Sequence, residues 1–280
     1  KSSQMIKTKS IEYVKSHYVE PIPQIPQKYP PILKLIQFGF QTVGRVFPKK
    51  AGELAYKLFT TPVKRAKHKA SDKILESAGI FEILYGKGIL KGYVWGSGDK
   101  TILLVHGWES RGTGMRSFVP ELVKAGFRVV AFDGPAHGNS DGRRTNLPHF
   151  AGAIKAVINH VGGVYGIIAH SFGGPSSVYA MSNYAKDFEL QKLVFISVPS
   201  GISGIIDKTR ETLKLSNPAV REFKNILSQK IGGRPIESTD VSKNFLNVPV
   251  EDVLIIHDKN DDVVSFKSAE EIFDNWKNAD

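Results

Sequence analysis

Short unbroken apolar runs alternate with longer amphipathic stretches from about residue 71 onward. Thr101–Val105, Arg128–Phe132, Val164–Ala169, Leu193–Ser197 and Val253–Ile256 each read as a strand. Between and after them, Met115–Ala125, Leu147–Val161, Gly173–Tyr184 and Ser265–Trp276 carry helical spacing. Strands with no polar face, separated by helices, predict a parallel sheet covered on both sides. Ile80–Tyr85 and Ile89–Trp95 are joined by Gly86-Lys87-Gly88 and predict a hairpin, so the sheet begins antiparallel. Residues 198–247 break the rhythm and predict a helical insertion, a candidate lid. Within it Asn217 reads as a helix cap and Pro218 as the first helical residue.

The first quarter of the chain has a different pattern. Residues 1–31 are polar and punctuated by Pro21, Pro23, Pro26, Pro30 and Pro31, an extended arm. Ile32–Phe47 predicts one amphipathic helix and Ala51–Phe59 a second, before the basic cluster Lys64–Lys69. Charge sharpens the division. Residues 1–70 hold 14 Lys and Arg against 3 Glu, and residues 71–280 hold 24 basic and 24 acidic residues. The net +11 therefore sits wholly in the first segment, which sets a boundary near Ala70: a basic helical extension over 1–70 and a main domain over 71–280. The favoured reading is that the extension packs its apolar face on the main domain. A peripheral contact with an anionic membrane surface is the alternative. No nucleic-acid module is evident, and without cysteine there is no thiol nucleophile and no disulfide. No apolar run is long enough to span a bilayer and no secretory pattern opens the chain, which places the protein in the cytoplasm.

Candidate chemistry gathers where strands end. Ser171 follows an apolar strand directly, with Ala169 two residues before it and Gly173 two after. Small residues at those positions suit a strained strand-to-helix turn that lifts a nucleophilic hydroxyl above the sheet. After Thr101–Val105, Gly107 allows a tight turn that aims the Trp108 amide at the same space. With the Phe172 amide it would form a two-donor oxyanion hole. His106 reads as a turn-stabilising side chain, and Asp133 and His137, in Asp133–Ser140, as loop-fixing hydrogen-bonders. In His257–Val264 three aspartates compete for the role of an acid that orients a histidine. Asp261 is chosen for its spacing from the strand and the Val263-Val264 step.

Four motifs in this order resemble the α/β-hydrolase family over roughly residues 80–280: His106-Gly107-Trp108, Asp133–Ser140, Ala169–Gly173 and His257–Val264. Bacterial serine hydrolases of unassigned substrate are the most similar members. The resemblance implies an α/β-hydrolase fold with Ser171 as nucleophile, Asp261 as acid, and Trp108 and Phe172 as oxyanion donors. The family's histidine follows the acid on a loop after one more strand. All eight histidines here precede Asp261, so the base and last strand are expected beyond Asp280. The implied reaction is hydrolysis of a carboxylic ester or related small acyl substrate through an acyl-enzyme, with no metal and no other cofactor. Thioesterase, peptidase and acyltransferase chemistry share the machinery. A non-catalytic binding protein on the same fold is the reading from another class.

Overall fold

The computed structural model describes residues 31–68, 72–185, 188–244 and 247–276. The predicted arm over 1–31 lies almost wholly outside these residues. Seven strands form one sheet: β1 (Gly79–Tyr85), β2 (Gly88–Trp95), β3 (Thr101–Val105), β4 (Arg128–Phe132), β5 (Gly166–His170), β6 (Leu190–Ile196) and β7 (Val250–Ile256). Their spatial order is β1-β2-β4-β3-β5-β6-β7. β1, β2 and β4 pair antiparallel and the rest are parallel, so the sheet is mostly parallel with an antiparallel start. The alternation within strands shows why the apolar runs are unbroken. Leu103, Val105, Val130, Phe132, Ile167 and Ala169 face one core, and Ile102, Leu104, Val129, Ala131 and Ile168 the other.

β6 and β7 begin three residues earlier than the apolar runs indicate. The added residues include Lys192 and Asp252, which sit side by side in the parallel register and form an ion pair across it. Their polarity hides strand that pairing makes acceptable. Helices α6 (Leu147–Val161) and α7 (Gly173–Asn183) follow β4 and β5 nearly as predicted. The helix expected over 115–125 is instead a 3₁₀ segment (Gly112–Phe118) running into a short α5 (Val119–Lys124), with Pro120 in the first turn of α5. α10 (Lys267–Asn275) closes the described chain by packing Trp276 against Phe195.

Upstream of the sheet, the helix predicted over 32–47 is two: α1 (Pro31–Gln41) and α2 (Val43–Val46). Thr42 breaks it. Its φ of −103° and ψ of −85° leave the helical region, although its amide and its hydroxyl both still donate to the Phe38 carbonyl, at 3.0 and 2.7 Å. α3 (Pro48–Phe59) starts at its proline, whose fixed φ suits a first helical position, and α4 (Lys73–Glu76) is a single turn before β1. The insertion between β6 and β7 contains α8 (Ser203–Leu213), which the apolar pattern did not reveal, and α9 (Asn217–Lys230). Ser216, not Asn217, caps α9, its side chain accepting from the Ala219 amide.

The N-terminal helices and the insertion support one another. Ala51, Gly52 and Ala55 are buried where α3 crosses α9, and a Cβ on Gly52 would lie 2.6 Å from Glu222 Cβ. Phe59 meets Phe223 edge-on at 5.2 Å, and Gln37 donates to the Thr212 carbonyl of α8. Phe40, Ala51 and Ala55 belong to the same apolar cluster as Phe223 and the inner face of the sheet. Among the described residues no helix is long and apolar enough to cross a membrane.

Candidate active site

β3 and β5 are neighbours, but the chain leaves β3 for β4 on one side while β5 lies on the other. Connections part there, opening a crevice at the carboxyl ends of the strands. Ser171 stands at the end of β5 with φ +49°, a left-handed conformation that costs a non-glycine residue on the order of 1–3 kcal/mol. The surroundings enforce it. The Ser171 amide donates to the Ile196 carbonyl at 3.0 Å, and the Ser171 carbonyl accepts from the Gly174 amide at 2.9 Å. A Cβ on Gly173 would sit 2.4 Å from the Val105 carbonyl oxygen, so only glycine lets α7 approach β3 this closely.

The turn after β3 closes on the serine from the other side. A Cβ on Gly107 would come 3.1 Å from Ser171 Cβ. His106 is buried beneath this turn. Its Nδ1 donates to the Gly107 carbonyl at 2.7 Å and its Nε2 accepts from the Gly134 amide at 2.9 Å, which fixes the neutral tautomer. Burial, reinforced by the neighbouring His137, pushes its pKa down to about 4. His137 donates from Nδ1 to the Pro135 carbonyl and accepts the Glu109 amide at Nε2 (3.0 Å), and burial lowers its pKa also. Both rings are thus committed to backbone and are fixtures rather than bases. Trp108 and Phe172 meet edge-to-face at 5.3 Å. Neither backbone amide has an acceptor among the described residues. Two unpaired donors therefore flank Ser171, one of them at the N-terminus of α7.

Asp261 lies beyond β7. Its Oδ1 accepts from the Val263 and Val264 amides at 2.8 and 2.9 Å, so the Val263-Val264 step is what shapes the turn. Burial pushes its pKa up, but these amides, the Ser197 side chain and the nearby His257 outweigh it and hold the carboxyl below its ordinary value. Ser197, at the end of β6 with φ +48°, links the acid turn to the strand beside the serine. Sequence reading missed it, although a serine ending the strand next to β5 was visible. Burial lowers the pKa of His170, next to Ser171, and prevails over the nearby Asp261 charge, which acts to raise it. His257 donates from Nε2 to the Val264 carbonyl at 2.8 Å, lies 3.8 Å from Asp261 and packs edge-on against Phe266. Asp258 caps its own turn by accepting from the Asn260 amide. Among the described residues no histidine hydrogen-bonds to Ser171 Oγ.

Residues 102–236 match the alpha/beta hydrolase family. The chain has the α/β-hydrolase fold. A 115-residue stretch is 34% identical to a 2-hydroxy-6-oxononadienedioate/2-hydroxy-6-oxononatrienedioate hydrolase of Escherichia coli, covering 38% of this chain and 38% of that protein. A 112-residue stretch is 31% identical to a bifunctional esterase/perhydrolase of Acinetobacter calcoaceticus, covering 38% of this chain and 40% of that one. The match thus spans about two fifths of the curated relatives' length. In three dimensions an esterase from Pyrococcus furiosus superposes over 77% of this chain and 82% of its own, with a TM-score of 0.56 at 19% identity, a likeness of fold.

This fold carries a further component that its sequence did not disclose. Asp133, fully buried below the Gly107-Trp108 turn, accepts from the Gly112 amide (2.7 Å), the Asn139 amide (2.8 Å), the Tyr93 hydroxyl (2.8 Å) and His68 Nε2 (2.8 Å). Burial raises its pKa, but these donors outweigh it and hold the carboxyl ionised. His68 comes from the basic cluster, and its Nδ1 meets the Thr113 hydroxyl at 2.9 Å. Arg65 spans the carbonyls of His137, Gly138 and Ser140, while Glu109 accepts the Val63 and Lys64 amides. Residues 63–68 therefore form a strap across the loops that carry Trp108 and His137. Nothing in the local pattern marks it, because the Arg65 and His68 partners lie 65 or more residues away in sequence, apart from Tyr93 and Thr113.

Proposed function

We propose that this protein is an α/β-hydrolase that cleaves carboxylic esters through a serine acyl-enzyme. The observation that carries the reading is Ser171 in a left-handed elbow with the unpaired Trp108 and Phe172 amides beside it. In this reading Ser171 Oγ attacks the ester carbonyl carbon, and the developing oxyanion takes hydrogen bonds from the two amides. A histidine oriented by Asp261 accepts the serine proton and returns it to the leaving alcohol. Water then repeats the sequence on the acyl-enzyme and releases the acid. Two relatives named as hydrolase and esterase support hydrolytic chemistry without fixing the substrate.

The test is turnover of a series of p-nitrophenyl esters of increasing acyl length, with labelling by a fluorophosphonate. A protein that includes the histidine partner of Asp261 should be labelled and active, and Ser171→Ala in it should lose both, with turnover falling by on the order of 10⁴–10⁶. Persistent turnover in Ser171→Ala removes the serine from the mechanism. Absence of labelling and turnover in a protein that includes that histidine favours a binding role for the same pocket.

A further inference from the structure

α1 has two apolar faces. On the helical repeat Leu33, Ile36 and Phe40 turn inward to the shared core. Ile32, Leu35 and Phe38 turn away from it and are exposed, Leu35 and Phe38 at 66% and 64%. The exposure continues through Val43, Val46 and Phe47 in and beside α2, Val46 at 71%. Single exposed apolar residues are ordinary on a protein surface, but six within residues 32–47 are not. The inward face already accounts for packing on the insertion, so the outward face serves no contact among the described residues.

The charge around this face is one-sided. Residues 31–50 contain four Lys and Arg and no acid, and the nearest acids of the neighbouring groove, Asp207 and Glu211, lie on α8 beside Arg210. Glu53 pairs with Lys50, whereas Lys34, Arg45 and Lys49 have no ion-pair partner among the described residues. Arg45 also lines an open groove with Arg210 and Leu215 at the start of α9, and Arg210 likewise lacks an ion-pair partner there. An apolar stripe rimmed by unpaired cations complements one kind of surface best. Acyl chains take the apolar side chains, and anionic headgroups take the lysines and arginines. A nucleic acid would use the cations but leave the leucine and phenylalanine side chains without partners.

We propose that α1 and α2 dock this protein on an anionic lipid bilayer. The exposed face enters the headgroup–acyl boundary, and Lys34, Arg45 and Lys49 lie over acidic phosphates. This inference is independent of the ester-cleavage reading, because it concerns the surface opposite the core of α1 and not Ser171.

The experiment is co-sedimentation of the full chain with vesicles of phosphatidylcholine alone or mixed with phosphatidylglycerol, at low and high salt. The protein should bind the anionic vesicles, and high salt should weaken that binding. Leu35→Glu/Phe38→Glu, at positions too exposed to matter for folding, should bind at least about tenfold more weakly. Its circular dichroism, melting midpoint and ester turnover should match those of the unmodified protein. Lys34→Glu/Lys49→Glu should lose most of the salt-sensitive part. Three results would overturn the proposal. One is absence of vesicle binding by the folded full chain. Another is a concentration-dependent dimer that Leu35→Glu/Phe38→Glu abolishes without any vesicle binding, which makes the occupant a second copy. The last is binding that appears only after residues 1–30 are deleted, which makes the occupant the chain's own leading segment.

Discussion

Ser171 and Asp261 are separated by one strand, and each is held by backbone rather than by packing alone. The serine is pinned through Ile196 and Gly174, the acid through Val263 and Val264. Asp261→Asn keeps the shape of the side chain but gives up its negative charge, and with it the preference for an imidazole in the correct tautomer. Ester turnover should fall by up to about 10⁴, as for the corresponding change in a Ser-His-Asp triad. Asp258→Asn removes a carboxylate that only caps its own turn and should change turnover little. Steady-state kinetics on both variants checks this, and a larger loss in Asp258→Asn would move the acid by three positions. At this scale the sequence was informative. The elbow and acid turn are local, so their demands for small residues and for a paired amide step are written within a few positions. What it did not contain was Ser197, whose role depends on β6 lying between β5 and β7.

The strap over residues 63–68 is the element-scale feature with the clearest consequence. His68 gives Asp133 one of its four donors, and Asp133 in turn holds Gly112 and Asn139 in the loops flanking the Gly107-Trp108 turn. His68→Ala should lower stability by about 1–3 kcal/mol, the cost of leaving a buried acceptor short of a partner. If the strap positions the Trp108 amide, kcat should fall while KM stays nearly constant. His68→Gln, which keeps a donor, should recover part of kcat. Thermal melts together with ester kinetics separate the two effects, and an unchanged kcat in a destabilised His68→Ala would make the strap purely structural. Strands and long helices could be read from periodicity because each buries a continuous face. The division of residues 32–47 into α1 and α2 could not, since it turns on the backbone of one residue, Thr42, leaving the helical region. Nor could the crossing of α3 on α9, where small residues over 51–55 read simply as helix formers.

For the whole molecule, the buried histidines set the response to acid. His106 and His137 are held neutral, each accepting a backbone amide on one ring nitrogen. Their folded pKa values lie below the unfolded value of 6.5, at about 4 for His106. The unfolded chain therefore binds more protons between those limits. The stability they contribute is complete above pH 6.5 and is lost as pH falls toward 4. His106 alone accounts for about 3 kcal/mol of that loss, to order of magnitude. Asp133 and Asp261, with depressed carboxyl pKa values, begin to add to it only below about pH 4. Urea unfolding between pH 7 and pH 4.5 should show the midpoint falling steadily, and a flat profile would mean that these rings are solvated.

By itself the sequence determined the class of sheet, the strand that ends in Ser171 and the spacing of the motifs around it. Those follow from hydrophobic period and steric size, which act between residues close together in the chain. Only the tertiary structure decided that the basic segment is split between two roles. Arg65 and His68 are drawn into the loops beside the serine, while Leu35 and Phe38 are left outside. Local pattern cannot make that choice. A lysine-rich amphipathic stretch has the same periodicity whether its apolar face meets α8 and α9 or turns to solvent. Which face is buried depends on partners more than a hundred residues away, whose position is set by the sheet.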